Sequence, residues 1–189
     1  MNLGSSLELG AELADPDLTL VQEFASGRTE ALDRLYEKYA SQVYNACLGM
    51  LGNPDDARDA MQDTFVQVCR SVAGFRYESR FSTWLYRIAI RKCTDTLRRR
   101  PRWNSSPGEH AGETRDRHDR LLEARVREAI LKLPPQFRAV LVLRYFQQLS
   151  YQKIAKSLEC SLDQARIWLH RARKAFRLVY EEGDGGDEV

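Results

Sequence analysis

Apolar residues recur at steps of three and four along nearly the whole chain, and no stretch of useful length alternates with period two. Such a pattern builds amphipathic helices, because each residue advances about 100° around an α-helix and steps of three and four return to one face. Glycines, prolines and capping residues cut the pattern into segments. Asp15-Pro16 reads as an N-cap and first-turn proline, with Leu18, Val21 and Phe24 behind it and Gly27 closing a short helix. Leu32, Leu35, Tyr36, Tyr39, Val43, Cys47, Leu48 and Leu51 line a long helix that ends at Gly52. Asn53-Pro54 restarts the chain, and Ala57, Met61, Phe65, Val68 and Val72 form the next stripe, stopped by Gly74. After a loop over Phe75 to Arg80, Ser82 is placed to cap a fourth helix running to about Arg100. Its core stripe is Leu85, Ile88, Ala89, Cys93 and Thr96; Trp84, Arg87, Arg91, Asp95 and Arg98 fall more than a right angle away and are expected to face outward.

Pro101 to Arg120 is rich in Pro, Ser, Gly, His and charge and nearly free of aliphatics, which reads as a mobile linker. Beyond it, Leu121, Leu122, Val126 and Ile130 begin a second set of helices, broken at Leu133-Pro134-Pro135. Phe137, Val140, Leu141 and Leu143 to Phe146 continue it; Ser150 caps a short helix through Leu158, and Ser161 caps a last one reaching about Tyr180. The expected fold is all-α: two small helical domains, 15–100 and 121–180, joined by a flexible linker over 101–120. A flexible acidic N-terminus (1–14) and an acidic tail (181–189) flank them.

The apolar runs are too short for a membrane helix, and no basic segment followed by an apolar one marks a secretory leader, so a cytoplasmic protein without membrane insertion is expected. Cys47, Cys69, Cys93 and Cys160 are scattered, as are His110, His118 and His170. Neither a zinc site nor a disulfide framework fits that spacing, and the cysteines are expected to be small buried apolar residues. Without a nucleophile elbow, a zinc-binding His-Glu-x-x-His or a phosphate-binding glycine loop, no cofactor, metal or catalytic residue is expected.

A formal net charge of +2 conceals segregation. Glu8, Glu12, Asp15, Asp17 and Glu23 stand unopposed at one end, and Glu181, Glu182, Asp184, Asp187 and Glu188 at the other. Between them, Arg87, Arg91, Lys92, Arg98, Arg99, Arg100 and Arg102 meet only Asp95, and Arg166, Arg171, Arg173, Lys174 and Arg177 meet only Asp163. Two basic patches suit a phosphate backbone, although arginines near helix ends also complement the helix dipole. The acidic ends oppose phosphate, so the free protein is expected to bind DNA poorly, and either tail could shield a basic patch.

Ile154, Ala155 and Leu158, a break at Glu159-Cys160-Ser161, then Ala165, Trp168, Leu169, Ala172 and Phe176 have the spacing of a helix-turn-helix whose second helix is basic. In that reading Ser161, Asp163, Gln164 and Arg166 reach base edges, while Arg171, Arg173 and Lys174 hold phosphates. A stand-alone helix-turn-helix regulator, dimeric on a palindromic site, is one alternative; a helical adaptor whose arginines only solvate it is another. A helical nuclease would need a carboxylate–metal cluster that the chain lacks.

The chain also resembles a known family. Leu133-Pro-Pro-Gln-Phe-Arg, Leu143-Arg-Tyr, Leu149-Ser-Tyr-Gln-Lys-Ile-Ala and Leu169-His-Arg-Ala-Arg are similar to region 4 of bacterial sigma factors. Asp56-Ala-Arg-Asp-Ala-Met-Gln-Asp-Thr-Phe65 and Phe81-Ser-Thr-Trp-Leu-Tyr-Arg-Ile-Ala89 are similar to region 2. Two regions and a linker resemble the extracytoplasmic-function (ECF) group of the sigma-70 family. The resemblance implies that the protein binds core RNA polymerase, at the β′ clamp helices and the β flap, and directs initiation at promoter DNA. It also implies an anti-sigma factor as a partner. Asp59, Gln62, Asp63 and Phe65 fall on the clamp-docking motif, Phe65 fitting the core stripe equally well. Phe75, Tyr77, Arg80, Ser82, Thr83, Trp84, Arg87 and Arg91 fall on the segment that captures and melts the −10 element. There aromatics and hydroxyls hold unstacked bases and arginines hold phosphates; Trp84 could instead be a core aromatic, and Phe81 is expected to be buried. The final helix would read the −35 element. It departs from the family's common pattern, with Glu159 where a turn glycine is usual and Gln164-Ala-Arg-Ile-Trp168 for Thr-Val-Lys-Ser-Arg. Arg166 keeps the lysine's charge, whereas Trp168 could pack on DNA or in the core.

Overall fold

The computed structural model describes residues 15–99 and 117–183. Among the described residues there are eight α-helices and no strand. They are α1 (Leu18–Ala25), α2 (Thr29–Leu51), α3 (Pro54–Ser71) and α4 (Phe81–Arg99), then α5 (Arg117–Leu131), α6 (Pro135–Leu141), α7 (Tyr151–Ser157) and α8 (Leu162–Glu182). A 3₁₀ turn, Val72–Gly74, follows α3, and a π-turn, Val142–Phe146, extends α6. The acidic ends 1–14 and 184–189 and residues 100–116 lie outside the described residues, and with them the expectation of tail shielding. The second unit begins earlier than its aliphatics suggested, because α5 already starts at Arg117, inside the expected linker.

Local chemistry explains the boundaries. The Asn53 side chain accepts hydrogen bonds from the Asp55 and Asp56 N–H groups at 2.9 and 3.0 Å, and Pro54 occupies the first turn, where its missing N–H costs nothing. Gly52 ends α2 with φ +74°, a conformation open to glycine and strained for other residues. Ser150 and Ser161 cap α7 and α8 by accepting from Lys153 and Gln164 N–H.

Two expected caps are placed differently. Ser82 lies within the first turn of α4; the Phe81 N–H at the head of that helix donates 2.6 Å to Asp15 Oδ2, from the opposite end of the unit. Asp15 Oδ1 accepts from the Asp17 N–H, so a single carboxylate ties the entry of α1 to the start of α4. Asp17 is 1% exposed and holds the Tyr39 hydroxyl and the Lys38 ammonium, so its buried charge is compensated. Burial, with the bond to Asp17, pushes the Tyr39 phenol well above its ordinary value.

The core of the first unit lies between α2, α3 and α4, where Leu35, Val43, Val68, Phe81 and Leu85 are fully buried. Each such side chain contributes roughly 1.5–3 kcal/mol relative to exposure. In the second unit, Ile154, Ala165, Leu169 and Ala172 clasp α7 to α8. Leu121 and Leu122, expected in the core, are exposed. Cys69 is exposed too, contrary to the expectation of four buried cysteines, whereas Cys47 and Cys93 are buried in contact.

The two units pack against each other, with α4 on α7 and α2 on α5, α6 and the π-turn. Gly49 lets that turn approach α2, since a Cβ there would lie 2.8 Å from Val142 Cγ2. The half-buried Arg138 guanidinium donates to the Met50 carbonyl of α2 and to the Leu131 and Leu133 carbonyls of its own unit. The buried Tyr86 hydroxyl donates to Gln147 Oε1 at 2.5 Å, and Gln147 Nε2 donates 3.1 Å to the Gln42 carbonyl.

Candidate nucleic-acid interface

α8 presents a basic face of the kind a duplex requires. Leu169 and Ala172 bury its inner face, leaving Arg166, Arg171, Arg173 and Lys174 exposed on the other. Asp163 is exposed and pairs with Arg166 at 3.2 Å, while Gln164 is half-buried. Ser161 is exposed, but its oxygen accepts from Gln164 N–H, so it serves first as a cap. Arg173 is aimed by Tyr145, whose hydroxyl accepts from Nε at 2.7 Å. Trp168 is half-buried and packed on the core edge, where with Arg87 and Arg91 it lines a cleft of about 620 Å³ between the units.

The first unit carries an aromatic cluster at the start of α4. Phe75 and Trp84 lie 5.0 Å apart, Phe81 and Trp84 5.8 Å, and Phe75 and Tyr77 4.9 Å, measured between ring centroids. Tyr77 is exposed, with φ +57°. Phe81 is fully buried, as expected. Trp84, expected on an outward face, is only 8% exposed, and Thr83 only 2%. Two causes account for this: the aromatic cluster wraps one side of Trp84, and α7 covers the rest of the face. Ser82 and Arg80 are half-buried, Arg91 is exposed, and Arg87 is partly exposed and 3.5 Å from Glu159.

Phe75, Thr83, Trp84 and Arg87 line a recess of about 550 Å³ whose opposite wall is Lys156, Glu159 and Cys160. Burial pushes the Cys160 thiol up. Inspection of local sequence missed this wall, and it missed Asp15 as well. The only local sign was a charged residue, Glu159, at a helix-turn-helix break.

α3 presents a separate surface. Asp59, Gln62 and Asp63 are exposed on one face beside Val66, which is 46% exposed. Phe65, expected to anchor that patch, is buried and meets Tyr36 edge-on at 4.7 Å, so it belongs to the core. Among the described residues no cluster of His, Cys, Asp and Glu could hold a metal, and no helix is long and apolar enough to cross a membrane.

Residues 35–102 match sigma-70 region 2, and residues 123–176 match sigma-70 region 4. The RNA polymerase sigma-H factor of Pseudomonas aeruginosa is 32% identical over 85% of this chain and 92% of its own length. The chain belongs to the RNA polymerase sigma factors. Within them it falls in the ECF group: the ECF RNA polymerase sigma factor SigE of Mycolicibacterium smegmatis is 34% identical over 77% of this chain, which spans 60% of that relative's length. Among solved structures, CnrH in complex with the cytosolic domain of CnrY superposes on this sigma factor with a TM-score of 0.72 at 27% identity. That likeness covers 89% of this chain and 99% of CnrH. RpoE of Bartonella quintana, solved with the anti-sigma factor NepR, shares the fold at 18% identity and a TM-score of 0.66, over 82% of this chain and 98% of its own. The two matched regions correspond to the two helical units, and the aromatic cluster and the basic helix fall one in each.

Proposed function

We propose that this sigma factor is a cytoplasmic promoter-specificity subunit with no chemistry of its own, which docks on core RNA polymerase through the outer face of α3. Asp59, Gln62 and Asp63 supply carboxylates and an amide to basic groups on the β′ clamp helices. The loop 75–80 and the start of α4 take the −10 element. Strand separation needs an apolar place for unstacked bases, and Phe75, Tyr77 and Trp84 are gathered there with the hydroxyls of Ser82 and Thr83. Arg80, Arg87 and Arg91 meet the neighbouring phosphates. α8 enters the major groove of the −35 element, with Arg166 at base edges and Arg171, Arg173 and Lys174 on phosphates. The second unit also meets the β flap, and an anti-sigma factor is the regulatory partner.

The observation that carries this reading is the pairing, in one chain, of an exposed acidic face on α3 with an aromatic recess at the head of α4. A stand-alone helix-turn-helix regulator needs neither. The test is to mix the protein with core RNA polymerase and sequence the transcripts that start. New start sites sharing two spaced elements are expected. Association with the core enzyme but no new initiation on any template refutes the promoter role. Trp84→Ala with Arg87→Ala should retain polymerase binding and lose promoter opening; loss of polymerase binding would place the docking face on α4 instead.

A further inference from the structure

The four cysteines lie far apart in sequence, and the fold brings two of them together. Cys47 on α2 and Cys93 on α4 are both fully buried, and their thiols are hydrogen-bonded to each other. The two helices pack side by side through the core of the first unit. Val43 and Ala89, each one turn before its cysteine on the same helix face, are fully buried as well. Ala89 is small, so the two backbones can draw close beside the thiols. The bond to Cys47, together with burial, pushes the Cys93 thiol well above its ordinary value, so it is protonated at neutral pH.

We propose that Cys47 and Cys93 form a modification site for hydroperoxide, which oxidises them to a disulfide that staples α2 to α4. Two thiols in contact differ from one buried thiol, because the first oxidation product has its partner at hand. One cysteine sulfur attacks a peroxide oxygen, the O–O bond breaks, and a sulfenic acid and one water result. The second sulfur then attacks the sulfenic sulfur, and the displaced hydroxide leaves with the second thiol's proton as another water. Two electrons pass from sulfur to oxygen, and two thiols with one hydrogen peroxide become one disulfide and two waters. Hydrogen peroxide is close to water in size and reaches the pair through local opening, which the larger glutathione does not. A protonated thiol reacts slowly, so the pair is converted well after exposed Cys69. Once made, the bond closes a loop over residues 48–92 and constrains the unfolded chain. The staple lies beneath the surfaces assigned to polymerase and DNA and does not depend on that assignment.

The test uses the full chain with Cys69→Ser and Cys160→Ser, which leaves the buried pair alone. The folded protein is held with hydrogen peroxide, quenched with catalase, alkylated in urea and digested. Mass spectrometry of the monomer is expected to find the Cys47 and Cys93 peptides joined, with two hydrogens lost. Urea unfolding of the oxidised form should have a midpoint about 1 M above that of the reduced form. A thiol reductant present during unfolding should return the midpoint to the reduced value. One chain is compared in two oxidation states, so no core substitution enters the comparison. Thiols that stay free, or that pass to sulfinic acid without joining, overturn the site. A joined pair with an unchanged or lower midpoint overturns the staple. Core-dependent initiation is scored separately, so either failure leaves the promoter reading standing.

Discussion

Removing the Asp15 carboxylate separates the observed architecture at the head of α4 from the one local sequence suggests. Asp15 Oδ2 accepts from Phe81 N–H at 2.6 Å, and Oδ1 from Asp17 N–H at 3.1 Å. Phe81 is fully buried, so in the intact protein its N–H relies on that carboxylate. Loss of a helix-capping acceptor costs roughly 0.5–2 kcal/mol, and hydrogen bonds to a charged group are worth about 1.5–3 kcal/mol. The anion also lies at the positive end of the α4 dipole. Asp15→Ala should therefore cost about 2 kcal/mol. With a urea m-value of about 2 kcal/mol per molar, the unfolding midpoint should fall by about 1 M. Asp15→Asn keeps an acceptor oxygen and should lose about half as much. Ser82→Ala, the costly change if Ser82 were the cap, should stay within about 0.5 kcal/mol of the parent. The assay is urea unfolding followed by helical circular dichroism on the three variants. A midpoint for Asp15→Ala indistinguishable from the parent, or Ser82→Ala proving the more damaging, refutes the reasoning.

Three further outcomes follow from the same geometry. Gly52→Ala must bear a positive φ and push its methyl into Leu131, whereas Gly27→Ala bears a positive φ with open space around it. Calorimetry should show the first losing clearly more than the roughly 1–2 kcal/mol of left-handed strain that the second loses. Burial pushes the Tyr86 phenol up to about 12. Above pH 10 the unfolded chain gives up that proton first, so stability is intact below 10 and falls between 10 and 12 by about 1.4 kcal/mol per pH unit. Tyr86→Phe should remove that component of the alkaline slope in pH-resolved unfolding, leaving the one from Tyr39. Arg171→Ala and Lys174→Ala should each reduce the steepness of log affinity against log salt by about 0.9 on duplex DNA, as one phosphate contact is lost.

Helix number, order and most boundaries were legible because each depends on nearby residues: the Asn53 and Ser161 caps, the glycine at 52, the i, i+4 stripes of α2 and α3. The helix-turn-helix was legible for the same reason. What escaped is non-local. Periodicity placed Trp84 more than a right angle from Leu85 on a single helix and hence in solvent, but an aromatic neighbour and a second unit can cover an outward face without altering its period. The same blindness hid Asp15, separated from Phe81 by most of a domain, and put Ser82 in a role a distant carboxylate fills. Phe65 fitted both a core stripe and a docking patch, and only packing against Tyr36 separates the two. Leu121 and Leu122 failed in the opposite direction: their spacing is that of a core stripe, yet both are exposed.

A barrier of charge between the acidic ends and DNA is recognised by its dependence on salt. Acidic ends repel phosphate through water, and that repulsion fades beyond a Debye length of about 8 Å at physiological ionic strength. Affinities of all variants fall as salt rises, because counterion release weakens every phosphate contact. The informative quantity is thus the ratio of variant to parent on the same single strand. Deleting residues 181–189 should raise affinity at low salt and converge on the parent at physiological salt if the tail acts by charge. A ratio for the tail deletion that stays unchanged as salt rises would refute a barrier of charge at that end.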